Sequence, residues 1–355
     1  MESVSIVGLD LAKRYFQAHG ADGSGKKLFS KKLVRGQVLD FFKKLDRCIV
    51  AMEACSSSHY WGREIRALGH EVRLIPAQYV KPFVKRQKND ANDAQAISVA
   101  ATRPDMHFVG LRTEQQQSQA MLVRSRDLLI GQRTATINAV RGHCAELGVH
   151  APVGDKGYQT LRTMILAAKA KHEASDEEKA HLLPAELPAD ATSSLSELTG
   201  VIDDLCERID GFEKKMAVAS KTDPLIKALR TVPGIGPITA LAFKALGPDA
   251  NQFSSGRDYA AWLGLVPRQN SSGGKTKLGR VTKKGNRTLR QLLIVCAGSI
   301  ITAIKRKTRT PSAWLAKIME RLPGMKAITA LANKLARIVW ALQVKGGVYE
   351  ARQAI

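Results

Sequence analysis

The order of β-rich and helical runs in the first 75 residues constrains this chain more than any other feature. Residues 3–9, Ser-Val-Ser-Ile-Val-Gly-Leu, alternate in character and end on an acid, Asp10. Residues 16–21 and 27–34 read as two further strands across the turn sequence Asp22-Gly23-Ser24-Gly25. Residues 37–45 have helical spacing, 47–54 form a compact apolar strand, 60–68 a helix, and 70–75 a strand that Pro76 breaks. Three strands, helix, strand, helix, strand predicts a mixed α/β sheet with an antiparallel edge.

Beyond this block the periodicity becomes helical. Residues 92–102 are Ala-rich, and 114–147 form a long run with Met121, Leu122, Leu128, Leu129, Ile137 and Val140 as apolar positions. Residues 151–192 are mixed, with an acidic cluster at 175–178 and prolines at 184 and 188. Leu195, Leu198, Ile202, Leu205, Ile209, Phe212 and Met216 then recur at threes and fours, the seam of a coiled coil or an antiparallel helix pair. From Pro224 the chain is mostly helical. The expected division is 1–115, an α/β domain; 116–220, a helical or coiled-coil linker and oligomerisation region; and 221–355, a mostly helical domain.

Charge separates these regions. The net charge of +23 splits into +7, −3 and +19 over the three segments. A charge of +19 on 135 residues repels itself unless a partner neutralises it, and a polyanion such as nucleic acid does so. No apolar run approaches the ~18 residues of a membrane span. The N-terminus has no basic flank or signal core, so a cytoplasmic protein is expected. Five scattered cysteines with no Cys-x-x-Cys pair read as reduced thiols rather than a zinc site.

Four acids stand out against this basic background. Asp10 closes one apolar strand and Glu53 lies in another, Ile49-Val50-Ala51-Met52-Glu53. A carboxylate in such a place is costly without compensation. If the strands are neighbours, the two acids meet at one sheet edge. Asp90 and Asp93 lie three apart at a helix start, which points both to one face. Singly, Asp90 reads as an N-cap and Asp93 as a partner of the helix dipole. Together the four suit hard divalent cations, which phosphodiester chemistry uses in pairs about 4 Å apart.

The basic region holds two kinds of candidate. Val232-Pro233-Gly234-Ile235-Gly236-Pro237 joins helical segments. Its glycines permit a tight turn whose following N–H groups can meet a phosphate, so Gly234 and Gly236 are candidate nucleic-acid contacts. A similar run at 322–330 reads as an ordinary helix–helix turn. Between them, Ser271-Ser272-Gly273-Gly274 sits among cations: Arg268, Lys275, Lys277, Arg280, Lys283, Lys284, Arg287 and Arg290, which suit phosphates. No Ser/His/Asp set accompanies the serines. From the residues alone, a flexible phosphate-binding loop is the better reading.

These motifs in this order resemble the bridge-RNA-guided insertion-sequence transposases, the DEDD–serine recombinases related to the pilin-gene invertase. The likeness covers almost the whole chain. It rests on Gly8-Leu9-Asp10-Leu11-Ala12-Lys13, Met52-Glu53-Ala54 and Lys88-Asn89-Asp90-Ala91-Asn92-Asp93-Ala94. Further on it rests on Gly264-Leu265-Val266-Pro267, the Ser-Gly loop and Lys283-Lys284-Gly285-Asn286. The resemblance implies an RNase H-like (RuvC-type) mixed sheet domain, a central helical region and a C-terminal domain containing a helix-hairpin-helix. It implies that Asp10, Glu53, Asp90 and Asp93 are catalytic and bind Mg²⁺, two per site. A serine of the loop is the implied nucleophile; counting from Pro267 gives Ser272, with Ser271 as the neighbouring alternative. The implied partners are double-stranded donor and target DNA, a guide (bridge) RNA and further copies in a homo-tetramer, with dimers as one route to it. The competing readings are a metal-dependent Holliday-junction-type endonuclease with a basic DNA clamp, and a non-catalytic nucleic-acid-binding protein.

Overall fold

The computed structural model describes residues 3–84, 89–173 and 187–350. The acidic cluster at 175–178 and Pro184 lie outside them. Two compact units result, Met1–Gln117 and Ser118–Ile355.

The first unit is built on a five-stranded sheet: β1 (Ile6–Asp10), β2 (Tyr15–Ala21), β3 (Lys27–Val34), β4 (Ile49–Glu53) and β5 (Glu71–Ile75). Their spatial order is β3-β2-β1-β4-β5. β1 pairs antiparallel with β2 and parallel with β4, so the sheet is mixed, as its sequence order predicts. Helices α1 (Val38–Lys43) and α2 (Ser58–Ala67) cover one face, packing Val38, Phe42, Trp61 and Ile65 on Val7, Leu9, Phe16, Val50 and Met52. A short α3 (Ala77–Val80) follows β5, and α4 (Asp90–Ala101) covers the other face through Ala96, Ile97, Ala100 and Ala101. The helix comes close to the sheet at Gly8. A Cβ on Gly8 would lie 2.1 Å from the Ala94 carbonyl oxygen and 2.7 Å from the Ser98 nitrogen.

The second unit is helical apart from one hairpin. It contains most of α5 (Glu114–Glu146), then α6 (Asp155–Glu173) and α7 (Ala189–Ala219). Val140, Cys144, Tyr158, Leu161, Ile165, Leu195 and Ile202 form their shared core. The heptad-like seam of α7 is therefore covered largely within the chain. Ion pairs Arg126–Glu213 (2.5 Å) and Arg162–Asp203 (2.6 Å) join its flanks to α5 and α6. Met121 does not join this packing; it is 66% exposed.

The basic helices are α8 (Pro224–Arg230), α9 (Pro237–Leu246), α10 (Gly256–Trp262), α11 (Arg287–Lys305), α12 (Ala313–Arg321) and α13 (Gly324–Lys345). They share one core that also takes in Ala120 and Val123 of α5 and Met216 of α7. Among the described residues, α11 is long and apolar enough by length and composition to cross a membrane. Here its buried positions Leu289, Leu293, Cys296, Ala297, Ile300 and Ile301 follow a three–four spacing and belong to that core. The five cysteines are unpaired by disulfides, and Cys48, Cys144 and Cys296 are buried.

Candidate functional site

Asp10 is the last residue of β1 and Glu53 the last of β4. The two strands run parallel with Leu9 opposite Met52, so both acids reach the same carboxyl edge of the sheet. Side chains alternate along a strand. Ile6 and Ala51 face α4, so Asp10 and Glu53, each an even number of residues away, face α4 as well. That helix begins there. Its N-cap is Asn89, whose side chain accepts from the Asn92 backbone N–H at 2.8 Å. The cap role weighed for Asp90 thus belongs to its neighbour. Asp90 and Asp93 occupy the first turn, where the helix dipole favours negative charge.

The acids sense one another. Burial, then the charges of Asp93, Asp90 and Glu53, push Asp10 up to about 6 from an ordinary 3.8. One backbone N–H, from Leu11, opposes the shift. The side chains do not close to coordinating separation: among the described residues no three His, Cys, Asp or Glu groups stand close enough to hold an ion as placed. The donor set itself is uniform, four hard carboxylates gathered at one edge with like-charge repulsion between them, and it fits a hard divalent cation.

The serine loop forms a hairpin. β6 (Pro267–Gln269) pairs antiparallel with β7 (Leu278–Val281), and the ladder continues to the tip. The Asn270 N–H donates to the Lys277 carbonyl at 2.9 Å, and the Lys275 N–H to the Ser272 carbonyl at 3.0 Å. Gly273 and Gly274 form the two-residue turn at φ +55° and +76°, values that suit glycine. The register separates the two serines. Alternation puts Arg268, Asn270 and Ser272 on one face of the hairpin, with Lys275 and Lys277 opposite them on the same face. Ser271 is on the other face. There its hydroxyl accepts from the Gln269 side chain and from the Lys277 N–H, both at 3.1 Å. Ser272 is exposed, and its hydroxyl has no hydrogen-bond partner among the described residues.

The hairpin's base explains the glycines around it. A Cβ on Gly264 would come within 2.4 Å of the Lys284 carbonyl, and one on Gly285 within 1.9 Å of the Trp262 carbonyl. Both have positive φ. Asn286 caps α11 through the Leu289 N–H at 3.1 Å. Arg268, Lys275, Lys277, Arg280, Lys283, Lys284 and Arg287 are all exposed. Arg290 differs from them: its Nη1 donates to the carbonyls of Leu263 (3.1 Å) and Lys284 (2.6 Å), so that guanidinium braces the hairpin base. From Tyr259 to Met319 the sequence holds no Asp or Glu, and the carboxylate that meets this stretch comes from α5, where Asp127 accepts from the Thr288 hydroxyl at 2.7 Å.

Gly234 has φ +83° in the turn between α8 and α9, and Gly236 caps α9 with Pro237 at its first position. Gly234 also packs closely, since a Cβ there would stand 2.8 Å from Ile300. The related run at 322–330 differs: Gly324 simply starts α13.

Sequence reading missed three supports. Gly8 admits α4 to the sheet, Gln269 engages the spare serine, and Arg290 anchors the hairpin. A glycine inside an apolar strand was the signal for the first. For the other two, nothing local in the sequence distinguishes a bracing side chain from a solvated one.

Comparison with known proteins gives concordant findings. Residues 226–312 match the family model described as Transposase IS116/IS110/IS902 family, and residues 7–147 match a DEDD transposase model of the IS110 type. A probable family 20 transposase of Pseudomonas aeruginosa is 44% identical over 96% of this chain and 97% of its own length. The transposase for insertion sequence element IS1328 of Yersinia enterocolitica is 37% identical over 98% and 99%. That for IS1111A of Coxiella burnetii is 36% identical over 98% and 92%. The junction-nuclease reading finds no support among them, and the DEDD-type domain suggests divalent-metal dependence.

Proposed function

From the premise that this chain belongs to the IS110/IS116/IS902 family of insertion-sequence transposases, enzymes that cut and rejoin DNA, we propose that it does so through a covalent Ser272–phosphate bond. The observation that carries this reading is the hairpin register. It presents Ser272 with a free hydroxyl on the same face as Arg268, Lys275 and Lys277, while Ser271 is engaged on the other.

Ser272 Oγ attacks a phosphorus of the DNA backbone, and the strand's 3′ oxygen leaves as a hydroxyl. The phosphoester is exchanged rather than hydrolysed, so a 3′ hydroxyl from another strand can reverse the step and join new ends. The cationic face holds the flanking phosphates. The residues that would hold metal are Asp10, Glu53, Asp90 and Asp93; a divalent ion bound there, Mg²⁺ and two per site in this reading, supplies charge neutralisation at the phosphate. These acids would hold the ion, and they are themselves carried by β1, β4 and the capped start of α4.

Ser272 lies over 170 residues beyond Asp93 in sequence. We infer a composite site, with one subunit's serine serving another subunit's carboxylates in a homo-tetramer. A guide RNA pairing with donor and target DNA would supply specificity in the cytoplasm, leaving the protein to read backbone shape, through Gly234, Gly236 and the cations among other groups.

The test uses the full-length chain expressed from its intact element with flanking DNA, followed by denaturing isolation of protein-linked DNA. A DNA adduct is expected for the parent chain and none for Ser272→Ala. Sequencing the nucleic acid that co-purifies under native conditions tests the guide. An adduct that survives Ser272→Ala removes the serine mechanism.

A further inference from the structure

The hairpin carries one relationship that the proposed function does not use. Ser272 and Lys275 are directly paired across the turn, the last rung of the ladder. In such a pair the two Cβ atoms stand about 5 Å apart on one face of the hairpin. The two residues between them, Gly273 and Gly274, have no side chains, so nothing at the tip separates the ammonium from the hydroxyl. Lys277 is on the same face but one step back, about 7 Å along the strand at ~3.4 Å per residue. Arg268 is two steps back along its own strand. Lys275 is exposed and has no acidic partner among the described residues, and no Asp or Glu occurs in the sequence between Tyr259 and Met319. Among the described residues, Lys275 is the cation directly paired with Ser272 in the ladder, and Lys277 is its diagonal neighbour one step back.

We propose that Lys275 is a catalytic residue that holds a non-bridging oxygen of the phosphate attacked by Ser272; this rests on reading Ser272 as the nucleophile. In the step, the Oγ–P bond forms and the P–O3′ bond breaks. The serine's proton is lost to water and the departing 3′ oxygen takes one up, so one hydroxyl is consumed and one released. Lys275 remains an ammonium throughout. Its charge meets the negative charge that builds on the phosphoryl oxygens, which makes it worth more in the transition state than in binding. Lys277 and Arg268, further from the hydroxyl, hold neighbouring phosphates and act on binding alone.

The experiment compares the parent full-length chain with Lys275→Met, Lys275→Arg, Lys277→Met and Ser272→Ala, each expressed from the intact element with its flanking DNA. DNA retained under native conditions gives occupancy. DNA retained after denaturation gives adduct, and the ratio of the two isolates the chemical step. Lys275→Met is expected to keep occupancy within about twofold and to lower adduct per bound chain by about 10²-fold or more, the usual loss for one charge-stabilising donor. Lys275→Arg is expected to recover most of it. Lys277→Met should lose adduct only in step with occupancy. A parental ratio in Lys275→Met, with no adduct in Ser272→Ala, overturns the role of Lys275 and leaves the serine reading standing. Equal losses of the ratio in Lys275→Met and Lys277→Met also overturn it, because the effect would then belong to the whole face. An adduct in Ser272→Ala overturns the serine reading and this inference with it.

Discussion

The carboxylate edge and the serine hairpin solve opposite problems. At the edge, four like charges are gathered on a packed frame: two strand ends held by a parallel ladder and one helix start brought close by Gly8. Burial first, and then the neighbouring acids, oppose the ionised form of Asp10 and push its carboxyl up. The hairpin carries its reactive group at full exposure, at the tip of two short strands with almost no core of their own. Its order comes from backbone pairing, glycine turns and one bracing arginine. A site that concentrates charge needs burial and close packing. A site that offers a nucleophile to a long polyanion needs reach and a single well-defined face.

Four measurements test this contrast. The largest effect belongs to the hairpin. With seven exposed cations around it, DNA affinity should fall about 10³-fold or more between roughly 50 and 200 mM salt, and replacing Lys283 and Lys284 by Gln should reduce the salt slope by about 2. An unchanged slope would show that these cations do not meet phosphates.

Next come the two glycine clamps. Gly8→Ala should cost about 3 kcal/mol, because the Cβ meets helix backbone that has to move, and thermal unfolding of the first unit should register it. Gly285→Ala should leave that transition in place and instead expose 267–287 to protease, since positive φ and the Trp262 carbonyl both oppose the methyl.

Third, Asp10→Asn should abolish activity yet stabilise the metal-free protein at pH 7.5. The folded-state value of about 6 lies above the ordinary 3.8, so the folded protein bears the cost of the ionised form above pH 6. That cost fades as pH falls through 6 and is gone below about 4. The rise from 3.8 to about 6 corresponds to about 3 kcal/mol, which partial exposure reduces to about 2. Differential scanning at pH 7.5 and pH 4 should show the gain at the first and not at the second. Millimolar Mg²⁺ should narrow the gap by stabilising the parent alone.

The smallest effect is expected at Ser271→Ala, which removes an acceptor from an exposed hairpin. Adduct formation should drop by a few-fold, about 1 kcal/mol or less. A loss as deep as that of Ser272→Ala would reverse the assignment of the two serines.

Much of the first unit was legible because local signals agreed. Alternation, the Asp22–Gly25 turn and Pro76 give four of the five strands to within a residue or two, and the first, read from residue 3, starts three residues later at Ile6. The acids could be suspected because ionisable side chains at the ends of apolar strands conflict with their surroundings. The hairpin was less legible. Residues 268–277 are polar and glycine-rich, and a polar exposed strand leaves no hydrophobic pattern to read. The seam of α7 was correctly periodic, but periodicity does not name a partner: Leu195, Leu198 and Ile202 pack with α5 and α6, whereas Met216 joins the core of the basic helices.

Which elements form, where charge accumulates and which four acids and two serines merit notice can be read along the chain, because each depends on near neighbours. That β1 lies beside β4, that α4 can approach at Gly8, and that Ser272 shares a face with Lys275 and Lys277 while Ser271 does not, emerges in the folded molecule alone. Those outcomes depend on pairing register and interatomic clearance. A shift of one residue reverses every face of a strand, and no local preference measures such a shift.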